Sequence, residues 1–295
     1  MSVKKIQFYF SFLILAGCFF INHSAQALTI SPALVKIELN PGETQTQIIK
    51  LFNETDQTLS FYSAVENFAP DKTTNAPIFL GNQNILGVAR WFNIDQSQII
   101  LKSGERGEVA VKISAPRIAE PGGYYAAVLW SDVPPQVGGV KTANRLATLF
   151  LLTIKGQINA DLQISAFQKK TGVPLGFDLE IENKGNIHLQ PTGSVSIINR
   201  KGEQVSTLLV NPLKQIILPQ SKRSFELVGT DILGWGKFTA EAQISFGQDK
   251  ILKSQKIVFW VWPEHLIGIV LSFVVIILVV LGVFKIAKSK TASHS

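Results

Sequence analysis

The chain has 295 residues, of which 46% are hydrophobic and 17% charged, with 28 Lys+Arg, 21 Asp+Glu and one Cys. This length allows about two domains, and the charged fraction is below the roughly 25% of an ordinary soluble domain. The surplus apolar residues lie at the two ends, which argues against a purely cytosolic protein. The sequence has no repeat and no low-complexity tract, so we expect neither a repeat array nor a disordered chain.

Residues 1–27 have the pattern of a secretory signal peptide. Lys4 and Lys5 precede a mostly apolar run over residues 6–21, and Ala25-Gln26-Ala27 supplies the small residues of a cleavage site. We therefore expect export of the chain and cleavage after Ala27.

The only cysteine of the chain lies within this leader. Leu15-Ala16-Gly17-Cys18 resembles a bacterial lipobox, so lipidation of Cys18 is an alternative to cleavage after Ala27, and an uncleaved anchor is a third. In each case the exported domains contain no disulfide, although they lie on the oxidising side of the membrane. Their hydrophobic cores must stabilise them alone.

The exported part is predicted to be all-β. Short runs rich in Ile, Val, Phe and Thr are interrupted about every 8 to 12 residues by Gly, Pro, Asn or Asp, which is typical of β-sandwiches. We predict two tandem Ig-like β-sandwiches, at residues 28–158 and 159–259, followed by one transmembrane α-helix.

In the first predicted domain, strands are expected near residues 30–39, 45–52, 58–66, 91–94, 98–101, 107–114, 123–130 and 145–155. The Pro- and Gly-rich stretch 132–145 interrupts the pattern before the last strand. Both faces of that last strand are apolar, which is typical of a strand covered on both sides.

In the second predicted domain, strands are expected near residues 160–167, 175–182, 193–198, 204–210, 224–228, 236–246 and 251–259. The last of them continues almost directly into the apolar C-terminal stretch. This domain is therefore expected to stand close to the membrane, with the first domain farther out.

Residues 265–284 are predicted to form the transmembrane helix. Leu266–Phe284 carries no charge and reaches about 28 Å as a helix, close to the roughly 30 Å of a hydrocarbon core. Trp260 and Trp262 precede it as interfacial aromatics. The basic residues of the short tail, 285–295, are Lys285, Lys288 and Lys290, which by the positive-inside rule leave the C-terminus in the cytoplasm.

These terminal lysines explain most of the formal charge of +7. Without the lysines of the leader and the tail, 23 basic residues face 21 acidic ones, so the exported part carries a net charge of only +2. It has no visible basic stripe with interleaved aromatics, so we expect no binding of nucleic acid.

Turn and core residues of the exported part resemble those of a known family. In the first domain they are Pro41-Gly42, Asn53-Glu54-Thr55-Asp56, Trp91 with Ile94, and Pro121-Gly122-Gly123-Tyr124-Tyr125, and in the second Glu182–His188, Pro191, Gly193, Asn199–Gly202, Leu218-Pro219 and Gly236-Lys237-Phe238. The pattern is similar to that of bacterial WxL-interacting proteins, which implies two Ig-like domains and a C-terminal membrane anchor. The first domain is also similar in outline to periplasmic pilus chaperones.

No pattern indicates an enzyme. The four histidines, at positions 23, 188, 265 and 294, cannot converge in one compartment, and none belongs to a recognisable nucleophile motif. Glu180 and Glu182 share one face of a predicted strand, where exposed carboxylates are usual. We therefore predict no catalytic activity, no cofactor and no metal.

Asn53-Glu54-Thr55 is a glycosylation sequon. A polar turn that follows a strand gives the same residues. We favour the turn.

Tyr124 and Tyr125 are the candidate residues for contact with a partner. Because neighbouring residues of a strand point to opposite faces, one of the two must point away from the core. We predict a non-catalytic, membrane-anchored binding or scaffold protein that engages an envelope protein or a cell-wall polymer. The alternative is an assembly factor that adds a strand from a client to an open sheet edge, as pilus chaperones do.

Overall fold

A computed structural model describes residues 28–71, 76–81, 87–134, 145–230, 234–247, 249–262, 268 and 271–282. The predicted leader with Cys18, and the tail with Lys285, Lys288 and Lys290, lie outside these residues. The chain forms two compact units. The first holds residues up to Phe68, Phe79–Ala119 and Tyr124–Ile154, and the second holds Ala69–Ile78, Glu120–Gly123 and the chain from Lys155 onward.

The described residues are mostly β-strands, as the alternating pattern predicts. The first strands are β1 (Leu28–Ser31), β2 (Leu34–Leu39), β3 (Thr44–Asn53), β4 (Leu59–Pro70), β5 (Pro77–Phe79), β6 (Phe92–Ile94), β7 (Gln98–Leu101), β8 (Arg106–Ser114), β9 (Gly122–Ser131) and β10 (Arg145–Ile154). They are followed by β11 (Leu162–Lys169), β12 (Gly176–Asn183), β13 (Thr192–Asn199), β14 (Gln204–Val210), β15 (Lys222–Val228), β16 (Gly236–Phe246), β17 (Lys250–Lys253) and β18 (Ile257–Val261). Residues 271–282 are α-helical.

The first ten strands build a β-sandwich. One sheet has the order β1-β3-β8-β6, and the other has the order β2-β10-β9-β4-β5, with β7 also paired to β4. The two sheets enclose a core that includes Leu39, Ile49, Val111, Trp130 and Phe150, all essentially without solvent exposure. The alternation of buried and exposed residues along β2, β3 and β8 supplies this core from one face of each strand.

The remaining strands build a second β-sandwich. One sheet has the order β11-β12-β15, and the other has the order β14-β13-β16-β17, with β18 also paired to β16. Phe177, Ile181, Ile197 and Ile244 lie in its core. The all-β prediction is therefore confirmed.

Strand β10 is covered on both faces, as its apolar residues predict. Phe150, Leu152 and Ile154 lie in the core of the first sandwich, and Leu151 on the opposite face is only 3% exposed. This opposite face of the sheet also buries Ala127 and Leu129.

Two strands that the sequence predicts as continuous are each divided. Residues 30–39 form β1 in one sheet and β2 in the other, where β2 runs parallel to β10. Residues 251–259 form β17 and β18, which pair with successive parts of β16. In both cases the alternation of buried residues changes phase at the break, from Leu28 and Ile30 to Val35 and Ile37, and from Leu252 to Ile257 and Phe259. The predicted strand at 91–94 is also shorter, because Trp91 ends a 3-10 turn, Val88–Trp91.

A buried asparagine fixes the end of a strand in each sandwich. Asn53 donates from Nδ2 to the carbonyls of Gln57, Leu101 and Lys102 at 2.8, 3.0 and 3.1 Å, and its Oδ1 accepts from the Thr55 amide at 3.0 Å. Its side chain is fully buried, so the turn interpretation of the Asn53 sequon is confirmed and a glycan has no access to it.

Asn183 has the same role in the second sandwich. Its Nδ2 donates to the carbonyls of Ile187 and Ile217 at 2.8 and 2.9 Å, and its Oδ1 accepts from the Gly185 amide at 2.9 Å. One buried amide therefore satisfies the backbone of two separate segments.

We predict that Asn183→Ala lowers the free energy of unfolding of the second sandwich by about 3 kcal/mol, because it leaves buried backbone groups without partners. Asn199→Ala, which removes a half-buried asparagine whose side chain bonds only within its own turn, is the matched control and should cost less than about 1 kcal/mol. Urea unfolding followed by circular dichroism measures both. Equal losses for the two variants would contradict the role assigned to Asn183.

Candidate functional site

Two strands of the second sandwich lie at open sheet edges. β14 pairs only with β13 and β15 pairs only with β12 among the described residues, so each is the last strand of its sheet. In an antiparallel pair, alternate residues of the outer strand point their backbone N–H and C=O groups away from the partner. Such an edge can accept a further strand.

A cleft of about 600 Å³ lies between these two edges. Its walls are residues 207–209 of β14, residues 211–213 and 215 of the following loop, and residues 224–230 of β15 and beyond. The volume falls within the range of roughly 300 to 1,000 Å³ that is usual for ligand sites. At about 3.3 Å per residue, β14 offers an edge of about 23 Å.

The rim of the cleft exposes large aliphatic side chains. Leu209, Leu213 and Val228 are 66%, 81% and 55% exposed, whereas Phe225 and Leu227 are buried in the wall. Single exposed aliphatic residues are common, but several around one concave surface indicate an interaction site.

The cleft has almost no charge. Glu226 is the one charged residue of its lining, and it forms an ion pair with Lys170. The hydrogen bond to Glu226 also raises the pKa of Lys170, so Lys170 keeps the positive charge that faces Glu226. A charged ligand would therefore find no uncompensated partner in the lining.

The loop that carries Leu213 is built around another buried asparagine. The Nδ2 of Asn211 donates to the carbonyls of Pro191 and Gln215 at 2.7 and 2.8 Å, and its Oδ1 accepts from the Gln215 amide at 2.7 Å. Asn211 and Lys214 both have positive φ, of 55° and 52°. This left-handed conformation is costly outside glycine and is often found at functional sites. The loop holds Leu213 outward on a fixed backbone.

The opposite edge of the same sandwich is built differently. The cleft between β11 and β17 is smaller, about 440 Å³, and Lys253 lies in its lining. The Nζ of Lys250 donates to the Ala160 carbonyl at 2.6 Å, which ties the start of β17 to the segment before β11. Lysines on an edge strand hinder the addition of another strand, whereas β14 contains no charged residue.

Tyr124 and Tyr125 lie on opposite faces of β9, as their adjacency predicts. Tyr124 packs against the core, with its ring centroid 4.6 Å from that of Trp91. Tyr125 lies on the other face, 5.9 Å from the ring of Phe68. Both side chains are half-buried, and their contact with a partner stays a prediction.

The carboxylate pair on β12 is held by neighbouring side chains. Glu180 accepts from the hydroxyl of Ser165 at 2.6 Å and pairs with Lys222 at 3.1 Å, and these contacts lower its pKa. Glu182 pairs with Lys184 at 2.7 Å. An ionised Glu180 is unsuited to donating a proton as a general acid. No cluster of three or more His, Cys, Asp or Glu that could hold a metal is found in the described ranges.

Trp260 and Trp262 are exposed and their rings stack 5.8 Å apart. Every residue from 271 to 282 is also exposed. Within the described part of the chain, no α-helix meets the length and hydropathy of a membrane-spanning segment.

No family model and no curated protein matches the chain. Among solved structures, the class 5 fimbriae chaperone CfaA is 14% identical, with a TM-score of 0.44 over 80% of this chain and 100% of that one. The SafA pilin–SafB chaperone complex of Salmonella enterica gives 11% identity and a TM-score of 0.39, over 81% of this chain and 98% of the other. The CsuC–CsuE chaperone–tip adhesion subunit complex of Acinetobacter baumannii also gives 11% identity and a TM-score of 0.39, over 77% of this chain and 97% of the other.

Each of these solved structures contains a chaperone of fimbriae or pili. The resemblance to WxL-interacting proteins finds no support in them. The motifs of that resemblance consist of turn and core residues. Asn53 and Asn183, for example, close the ends of strands, and many β-sandwiches require residues in this role.

Proposed function

We propose that this chain is a non-catalytic, membrane-anchored assembly factor of the cell envelope, which binds an extended, uncharged segment of a client protein between β14 and β15. The observation that carries the proposal is the uncharged cleft between two open sheet edges.

The backbone groups and the apolar lining of this cleft fit the addition of a strand. The outward backbone groups of β14 match those of an extended peptide, which gives affinity without a defined side-chain sequence. Side chains at alternate positions of the added strand reach the apolar wall at Phe225 and Leu227, and the others meet Leu209 and Leu213 at the rim. A wall glycan has no such periodic backbone, so the cleft favours a client protein over a wall polymer.

The lining also selects against charge. A charged side chain loses its hydration in an apolar cleft, and this costs free energy unless a counter-charge is present. The one lining carboxylate, Glu226, is already paired with Lys170. The client segment is therefore uncharged at the positions that face the wall.

The membrane anchor is supported by the sequence and by the exposed helix. Residues 268 and 271–282 are the described part of the uncharged stretch 266–284, and large apolar side chains from Leu271 to Leu281 are exposed. A helix that is apolar on all sides is stable when lipid or protein covers it. Within the described chain no protein surface does so. With Trp260 and Trp262 before it and lysines after it, the stretch is proposed to span the membrane once with the C-terminus in the cytoplasm.

We predict that Leu209→Lys weakens binding of an uncharged extended peptide by at least about tenfold, because the bound peptide loses its apolar contact with Leu209 and covers part of the hydrated ammonium group. The probe is a fluorescein-labelled ten-residue peptide of alternating Val and Thr, and the measurement is fluorescence anisotropy. A second peptide with Lys in place of each Val should bind poorly to the unchanged protein.

Ile251→Lys is the matched control, because Ile251 is a similarly exposed aliphatic residue, 59%, on the other edge strand of the same sheet. It should leave binding unchanged. Equal affinity of both peptides, or equal loss in both variants, would overturn the proposed site.

We also predict that the chain resists extraction from membranes by alkaline carbonate, and that deletion of residues 264–295 releases it. Cys18→Ser is included in both proteins so that lipidation cannot retain them. Deletion of residues 285–295 alone should leave the protein in the membrane, because the apolar stretch remains. Complete extraction of the full-length Cys18→Ser chain would contradict the anchor.

A further inference from the structure

The pairing of β16 with β18 brings a distant tryptophan to the end of the chain that precedes the apolar stretch. The register pairs Gly236 with Val261 and Lys237 with Trp260. Trp235 precedes Gly236 and Trp262 follows Val261, so both lie next to that pair, just outside the two strands. Cross-strand neighbours lie about 5 Å apart, so residues far apart in sequence share one end of the sheet.

Exposed side chains gather at this end of the sheet. Phe238 and Phe259 point into the core of the sandwich, so the residues next to them, Lys237 and Trp260, point outward. The ring of Trp262 stacks on that of Trp260. Trp235, Trp260 and Trp262 are 77%, 58% and 67% exposed, and three exposed tryptophans at one end of a sheet are unusual for a surface in water.

The polarity of this face changes along the strands. Beyond the tryptophans and the pair of Lys237 and Trp260, the next outward-facing pair is Thr239 with Val258. Farther on, Glu241 and Lys256 form an ion pair of 4.0 Å. At about 3.4 Å per residue, Glu241 lies about 20 Å from Trp235 and about 14 Å from Lys237.

We infer that the aromatic end of this face, defined as Trp235, Lys237, Trp260 and Trp262, lies in the phospholipid headgroup region, with Trp235 as a membrane-contact residue. The inference rests on the proposed membrane anchor. Stretch 266–284 begins four residues after Trp262, and four residues span at most about 14 Å. Trp262, and with it Trp235, therefore cannot be far from the lipid once that stretch is inserted.

The chemistry of the patch fits lipid headgroups. Tryptophan prefers the membrane interface because its ring is apolar and its N–H polar. Lys237 can direct its ammonium group to lipid phosphates while its methylene groups cover the ring of Trp260. The patch thus fixes the second sandwich upright on the bilayer, with the ion pair of Glu241 and Lys256 held in water.

Site-specific fluorescent labels test the inference in the full chain. In a Cys18→Ser background, a single cysteine is placed by Trp235→Cys, Lys237→Cys, Glu241→Cys or Val275→Cys and labelled with an environment-sensitive dye. The proteins are reconstituted into phosphatidylcholine vesicles that contain lipids with a nitroxide either at the headgroup or deep in the acyl chain. Lys237→Cys keeps all three tryptophans, so it checks that the loss of Trp235 does not itself change the orientation.

Labels at 235 and 237 should lose on the order of half of their fluorescence with headgroup nitroxide, as expected at interfacial depth, and the label at 241 should stay nearly unquenched. The label at 275 should respond to the deep nitroxide. If the label at 275 is quenched but the labels at 235 and 237 are quenched no more than the label at 241, the anchor stands and the patch inference is overturned. If 275 is not quenched, the anchor itself fails, and the inference with it.

Discussion

Buried backbone N–H and C=O groups must be paired, and this constraint governs both units and the proposed site. Residues 28–295 contain no cysteine, so no disulfide ties their segments together. Instead, the buried amides of Asn53, Asn183 and Asn211 join strand ends to facing loops. Where β14 and β15 meet solvent, the same constraint leaves an edge that a further strand can complete.

The two sides of the second sandwich differ in how readily they can accept a further strand. On one side, Lys250 bonds the segment before β11, and Lys253 lies in a smaller cleft. On the other side, β14 carries no charge and Asn211 holds Leu213 outward. Side-chain chemistry at the edges, more than the topology, is therefore the reason that the proposed client site lies on the side of β14.

The fold was largely predictable because period-two alternation dominates the sequence. It located nearly every strand and the double coverage of β10. It did not show that residues 30–39 and 251–259 change partners, because strand partners depend on long-range pairing. The local sequence carries only a change in the phase of the buried residues between the two halves of each segment. The cleft was not predicted either, although an uncharged strand, β14, followed by Asn211-Pro212-Leu213, indicates an exposed apolar edge. Which strands are edges depends on long-range pairing, and so does the approach of Trp235 to Trp262.

The central claim is that a client segment pairs with the backbone of β14. Amide hydrogen exchange of the full chain, measured with and without the uncharged alternating peptide, tests it most directly. The account predicts that alternate amides of β14, those that point away from β13, become protected on binding while the amides of β17 do not change. Binding that leaves the exchange of β14 unaltered would contradict strand addition.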